Sequence, residues 1–138
     1  MKFLHTMIRT TDPQASIHFY TQGLGLQLIR QKDYPNAKFS LYFLAECEQS
    51  PMIELTHNWD EQDYVTGNQF GHLAFGVDNI YHICEHLMAM KITINRPPRD
   101  GRMAFVKDPD GFSIELLQQG EPLEPMSPWT DMENQGSW

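Results

Sequence analysis

Cysteine, basic residues and long apolar runs are all scarce in this chain of 138 residues. Cys47 and Cys84 are its only cysteines, so at most one disulfide is available. Each lies among apolar neighbours, Leu44 and Ala45 or Ile83, and both read as reduced, buried thiols of a cytoplasmic protein. Lys and Arg total 10 against 18 Asp and Glu, a formal charge of −8. A protein that tracks nucleic-acid phosphates needs a basic face, so that class of partner is disfavoured. No stretch nears the ~20 apolar residues of a membrane span. The opening residues break to His5 and Thr6 before a signal-peptide core forms, so no membrane association is expected.

What is present suits a globular small-molecule protein. The hydrophobic fraction is 41% and the aromatic fraction 12%, enough for a core. Six histidines beside eighteen carboxylates can supply a metal site.

The chain reads as one β-α-β-β-β order written twice. In the first half Leu4–Arg9 is a strand, and Asp12 with Pro13 opens a helix whose Ile17, Tyr20, Thr21 and Leu24 share a face. Gly23 and Gly25 close it, and strands follow at Leu26–Gln31, Phe39–Leu44 and Met52–Thr56, with a turn over Asp33–Asn36. Asn58–Gln69 is an irregular polar connection. The second half has a strand at Gly71–Val77, an N-cap at Asp78, a helix over Ile80–Met90 and strands at Ile92–Asn95, Met103–Lys107 and Phe112–Gln118. The modules occupy about residues 1–58 and 69–118 of a single 1–118 domain. Beyond it, the proline-rich 119–138 tail reads as extended and partly docked through Trp129 and Trp138.

Two landmarks match between the halves. Each first strand carries a histidine near its start, His5 and His72, and each last strand carries Ile-Glu-Leu, with Glu54 and Glu115 central. Alternation sets both carboxylates opposite their flanking aliphatics, facing either solvent or a lined cavity. A lone strand Glu is usually exposed. Two His and two Glu at matched positions can instead converge on a metal, and imidazole with carboxylate suits divalent zinc, nickel, cobalt or iron. His82 and His86 lie i, i+4 on the second helix but opposite its apolar stripe, so they and His18 read as solvent-facing. His57 falls on the strand face opposite Glu54.

The segments around these four residues carry a family resemblance. LHTMIR, HFYTQGLGL, IELTHNW, FGHLAFGV and AFVKDPDGFSIELL, in that order over residues 1–118, closely resemble glyoxalase I, lactoylglutathione lyase, of the vicinal oxygen chelate superfamily. The resemblance implies an α+β fold, with paired βαβββ modules (the glyoxalase/bleomycin resistance/dioxygenase fold) forming a curved mixed sheet. It also implies a homodimer with metal sites at the subunit interface. The implied ligands are His5, Glu54, His72 and Glu115, with Glu115 the principal base and Glu54 a ligand and partner base. His at position 5 resembles the compact bacterial enzymes, in which Ni2+ or Co2+ is favoured and Zn2+ is an alternative. The implied substrate is a 2-oxoaldehyde joined to a thiol, glutathione in most relatives, with Arg9 and Asn58 as its contacts. Moving a proton between adjacent carbons of that adduct passes through an enediolate, whose charge a divalent metal stabilises while a carboxylate carries the proton.

One departure concerns the thiol. The Asn95–Arg102 loop is shorter than in bacterial relatives and lacks their lysine, a shortening that resembles trypanothione-using glyoxalases. Arg96, Arg99 or Arg102 is available to replace that lysine. Two rival readings share the superfamily: an Fe(II) extradiol dioxygenase, which uses two His and one Glu, and a non-catalytic ligand-binding protein.

Overall fold

The computed structural model describes residues 1–60, 63–65 and 67–138. It divides into two compact units, Met1–Val65 and Thr66–Trp138. The first contains β1 (His5–Arg9), α1 (Pro13–His18), β2 (Gln27–Tyr34), β3 (Phe39–Ala45) and β4 (Met52–Asn58). The second contains β5 (His72–Val77), α2 (Ile80–Ala89), β6 (Ile94–Arg96), β7 (Met103–Lys107) and β8 (Ser113–Gln118). Each unit forms its own four-stranded mixed sheet, ordered β1-β4-β3-β2 and β5-β8-β7-β6. In both, the first and last strands are parallel neighbours and the others pair antiparallel.

Alternation sets what each sheet buries. In the first unit Ile8, Tyr42, Leu44, Ile53 and Leu55 are buried, as are Phe19 and Tyr20 of the helical segment. In the second, Ala104, Val106, Ile114 and Leu116 of the sheet and Ile80, Cys84 and Leu87 of α2 are buried. Asp12 caps α1, its Oδ1 accepting from the Gln14 and Ala15 amides. A π-helical turn, Phe19–Gly23, continues α1, with the Leu24 amide reaching the Phe19 carbonyl, and Gly25 turns out at φ 77°. The Thr10 and Ser16 hydroxyls, buried 2.8 Å apart, tie β1 to α1. No helix among the described residues is long and apolar enough to cross a membrane.

Several expectations change. The cap of α2 is Asn79, which accepts from the Tyr81 and His82 amides, and not Asp78. The buried Gln118 side chain decides between these two neighbours, donating to the Asp78 carbonyl and accepting from the Ile80 amide. Strand β2 runs on through Asp33 and Tyr34, which sequence placed in a turn, because Tyr34 stacks on Phe39 and Asp33 accepts from Ser40 across the hairpin. The turn is displaced to residues 35–38, where Lys38 takes φ 52°. Cys47 is exposed in the loop before β4, its thiol lowered in pKa by Ser50, whereas Cys84 is buried in α2 and burial pushes its thiol up to about 12.

The 119–138 segment is docked within the second unit through Trp129 and Trp138, as expected from the sequence. Trp129 is 2% exposed and stacks on Tyr81, whose hydroxyl donates to the Glu124 carbonyl. Gly101 adopts φ 63° and lies so near Leu123 that a Cβ there would clash with the Leu123 carbonyl oxygen. A polar, proline-spaced segment shows no periodicity in sequence, yet one large indole in a core-like setting anchors it.

Candidate metal centre and substrate pocket

Register places the first unit's candidate residues together. Glu54 is the cross-strand partner of Met7 on β1 and Phe43 on β3, and Asn58 that of Phe39. Register partners point to one side of a sheet, so His5, Arg9, Glu54, Asn58 and Phe43 share the face opposite the apolar core. There His5 Nε2 lies 2.8 Å from Glu54 Oε2, with 40% and 13% of the two side chains exposed. The imidazole also meets Phe43 edge to face, centroids 6.0 Å apart.

The second unit repeats this arrangement. Glu115 partners Ala74 and Phe105, and His72 partners Ser113, so His72, Glu115 and Phe105 share one face. His72 Nε2 is 3.0 Å from Glu115 Oε2, and the His72 ring meets Phe105 edge to face at 5.3 Å. Sequence reasoning found the His and Glu of each triplet and missed the phenylalanine. The signal was available, because Phe43 and Phe105 stand at matched places in the strands next to the two Ile-Glu-Leu runs.

The donor chemistry fits a divalent ion. Two ligands on adjacent vertices, each about 2.1 Å from an ion, stand about 3 Å apart, the separation seen in each pair. The aromatic edge limits the tilt of each imidazole, as supporting contacts do for ligating histidines. Each unit by itself presents two such donors, and no three His, Cys, Asp or Glu side chains gather among the described residues.

Arg9 and Asn58 come together through a residue that sequence reasoning overlooked. Tyr64 accepts a hydrogen bond from Asn58 Nδ2 at 2.8 Å, and the Arg9 guanidinium lies 5.7 Å from its ring centre. Tyr64 falls in the polar connection after β4, where no periodicity marks it. Tyr64 and Asn58, with Thr10, His57, Asp60 and Asp63, line a cavity of about 250 Å³ at the carboxyl ends of the parallel strands β1 and β4. His57 reaches the cavity although its strand position opposes that of Glu54, because its ring turns to the Thr10 carbonyl at 3.1 Å.

The three loop arginines turn elsewhere. Arg96 pairs with Asp100 and donates to the Met103 carbonyl, Arg99 donates to the Met132 carbonyl and Asn134, and Arg102 donates to the Gly120 carbonyl. Burial disfavours the charge on Asp100, but hydrogen bonds from Arg96 and from the Arg102 and Met103 amides outweigh it and hold its carboxyl down at about 2. These arginines fasten the loop and the 119–138 segment. His18, His82 and His86 are exposed, as the apolar stripes require.

With fold and geometry in place, comparison with known proteins assigns the class. The model of the Glyoxalase/Bleomycin resistance protein/Dioxygenase superfamily matches residues 2–116, and the chain belongs to that family. Within it, the chain is 44% identical to the probable lactoylglutathione lyase of Synechocystis sp., over 86% of this chain and 95% of that one. It is 41% identical to the lactoylglutathione lyase of Neisseria meningitidis, over 86% and 91% respectively. Among solved structures it resembles the glyoxalase I of Leishmania major, described as trypanothione-dependent, with a TM-score of 0.83 and 38% identity over 86% of this chain and 87% of that one.

Proposed function

We propose that this chain is a metal-dependent lyase of the glyoxalase I type, isomerising the hemithioacetal of methylglyoxal and glutathione, or a related thiol, to the lactoyl thioester. The observation that carries this reading is the repeated His–Glu pair, at 2.8 Å and 3.0 Å, on matching faces of the two units. It stands in a chain 41–44% identical to lactoylglutathione lyases over most of its length. His5, Glu54, His72 and Glu115 would hold one divalent metal, nickel or cobalt before zinc. Because each unit offers two donors, the set of four is proposed to be completed at the interface of a homodimer. When bound, the metal supplies Lewis acidity where negative charge develops on the substrate oxygens.

The residues divide the remaining work. Glu115 takes the proton from the carbon bearing sulfur, leaving an enediolate, and returns it to the neighbouring carbon, so that the sulfur-bearing carbon becomes the thioester carbonyl. Glu54 is the second carboxylate, a ligand able to share the proton. Arg9, with its planar fork, pairs with a carboxylate of the thiol cosubstrate. Asn58, oriented by Tyr64, hydrogen-bonds its peptide groups, and the cavity beside them receives it. Two free cysteines, one of them exposed, suit a reducing cytoplasm. An extradiol dioxygenase needs one Glu and two His, and Glu54 beside His5 would be a surplus fourth donor to such an iron.

The test is to load the purified protein with nickel, cobalt or zinc and follow thioester formation from methylglyoxal with glutathione and with trypanothione. Turnover with one of the thiols is expected. Stoichiometric metal binding without turnover on either would contradict the reading.

A further inference from the structure

The 119–138 segment lies wholly beyond the part of the chain that the family model matches, yet it is fastened at successive points along the second unit. The Leu123 amide donates to the Gly101 carbonyl, Trp129 is buried against Tyr81, and Arg99 forks onto the Met132 carbonyl and the Asn134 side chain. Asn95 and Gln135 exchange two hydrogen bonds, each 2.8 Å, between the Asn95 side chain and carbonyl and the Gln135 backbone. Lys107 Nζ then donates to Ser137 Oγ at 3.2 Å. The effect of these contacts is to deliver one residue. The Trp138 indole lies 6.3 Å from Phe105, the same phenylalanine whose ring meets His72 at 5.3 Å.

Phe105 is 8% exposed and Trp138 44% exposed. Phe105 points to the face that carries His72 and Glu115, so the indole extends the aromatic surface of that face outward from the metal pair. A half-exposed indole at the end of a segment fastened by these polar contacts is poorly explained by core burial, since Trp129 already supplies that for the segment. An amphipathic ring with few rotatable bonds is suited to contact with a ligand at small entropic cost.

We propose that Trp138, positioned by the Asn95–Arg102 loop and the strap it holds, is a specificity-determining residue whose indole contacts the carbon substituent of the bound 2-oxoaldehyde adduct. The inference rests on the reading of His72 and Glu115 given above. It assigns the loop arginines a purpose: Arg99 and Arg102 hold the strap in place, and Arg96 braces the loop through Asp100 and the Met103 carbonyl. Arg99 is a positioning residue for Trp138.

The test compares kcat/KM for the adducts of phenylglyoxal and methylglyoxal, with the thiol the wild type uses. Trp138→Ala is expected to lower the phenyl-to-methyl ratio about fivefold or more, with Trp138→Phe restoring most of it and the melting temperature unmoved. Arg99→Ala should shift the ratio in the same direction. An active wild type whose ratio is unchanged in Trp138→Ala would overturn the inference alone. A wild type that turns over neither adduct would overturn the functional reading and the inference with it.

Discussion

In the first unit Phe43, the aromatic neighbour of the His5–Glu54 pair, is covered by the Arg30 guanidinium at 4.0 Å; in the second, its counterpart Phe105 is flanked by the Trp138 indole at 6.3 Å. Four residues beyond the two histidines stand Arg9 and Gly76, and four beyond the two glutamates stand Asn58 and Gln119. Asn58 and Tyr64 border a cavity of about 250 Å³, and the Arg9 guanidinium lies 5.7 Å from the Tyr64 ring centre. At the matching place in the second unit, the Gln119 side chain lies over Gly76, close enough that an added Cβ would meet it at 3.1 Å. The duplicated frame therefore keeps the His–Glu pairs and their aromatic neighbours alike. What lies around that frame differs, as expected if one unit grips the thiol and the other shapes the reacting end.

The sharpest way to break that comparison is to treat the two carboxylates as equals. If Glu115 carries the proton, Glu115→Gln lowers kcat by about 10²–10⁴-fold in a folded protein, the range for loss of a positioned base. Glu54→Gln should fall mainly on metal affinity, read by competition with a chelator. Equal losses of kcat would mean that the two units share the base role.

A smaller but still large asymmetry concerns stability. Trp129→Ala should cost about 3–5 kcal/mol in denaturant unfolding, the usual penalty for emptying a buried indole site, and should release the strap. Arg30→Ala, which removes only an exposed cation–π contact from the first unit, should cost about 0.5–1 kcal/mol. Smaller again is the substrate effect. Arg9→Ala should raise KM for the thiol adduct about tenfold, the scale of a lost charged hydrogen bond, and leave kcat within about twofold. Substitution of Gln119 by Ala should leave KM unchanged.

How much of this was legible in sequence depends on whether a residue lies within a periodic element. His5, Glu54, His72 and Glu115 sit in strands whose alternation assigns their face, and the repeated Ile-Glu-Leu aligned the two halves. Asp78 and Asn79 offer the same capping chemistry one residue apart, and only the distant Gln118 decides between them. Tyr64 and Trp138 lie in aperiodic segments, so their contacts with Asn58 and Phe105 depend on tertiary packing that no local pattern records. The same is true of the loop arginines, whose charge was visible in sequence but whose partners, the Gly120 and Met132 carbonyls and Asn134, were not.

The central claim is that the two pairs are halves of one kind of metal site rather than two sites. Nickel titration of the wild type, His5→Ala and His72→Ala, followed by calorimetry, tests it directly. The account predicts one ion per chain in the wild type, with nearly all high-affinity binding lost in either variant. Two ions per chain, with each variant retaining one at full affinity, would contradict it.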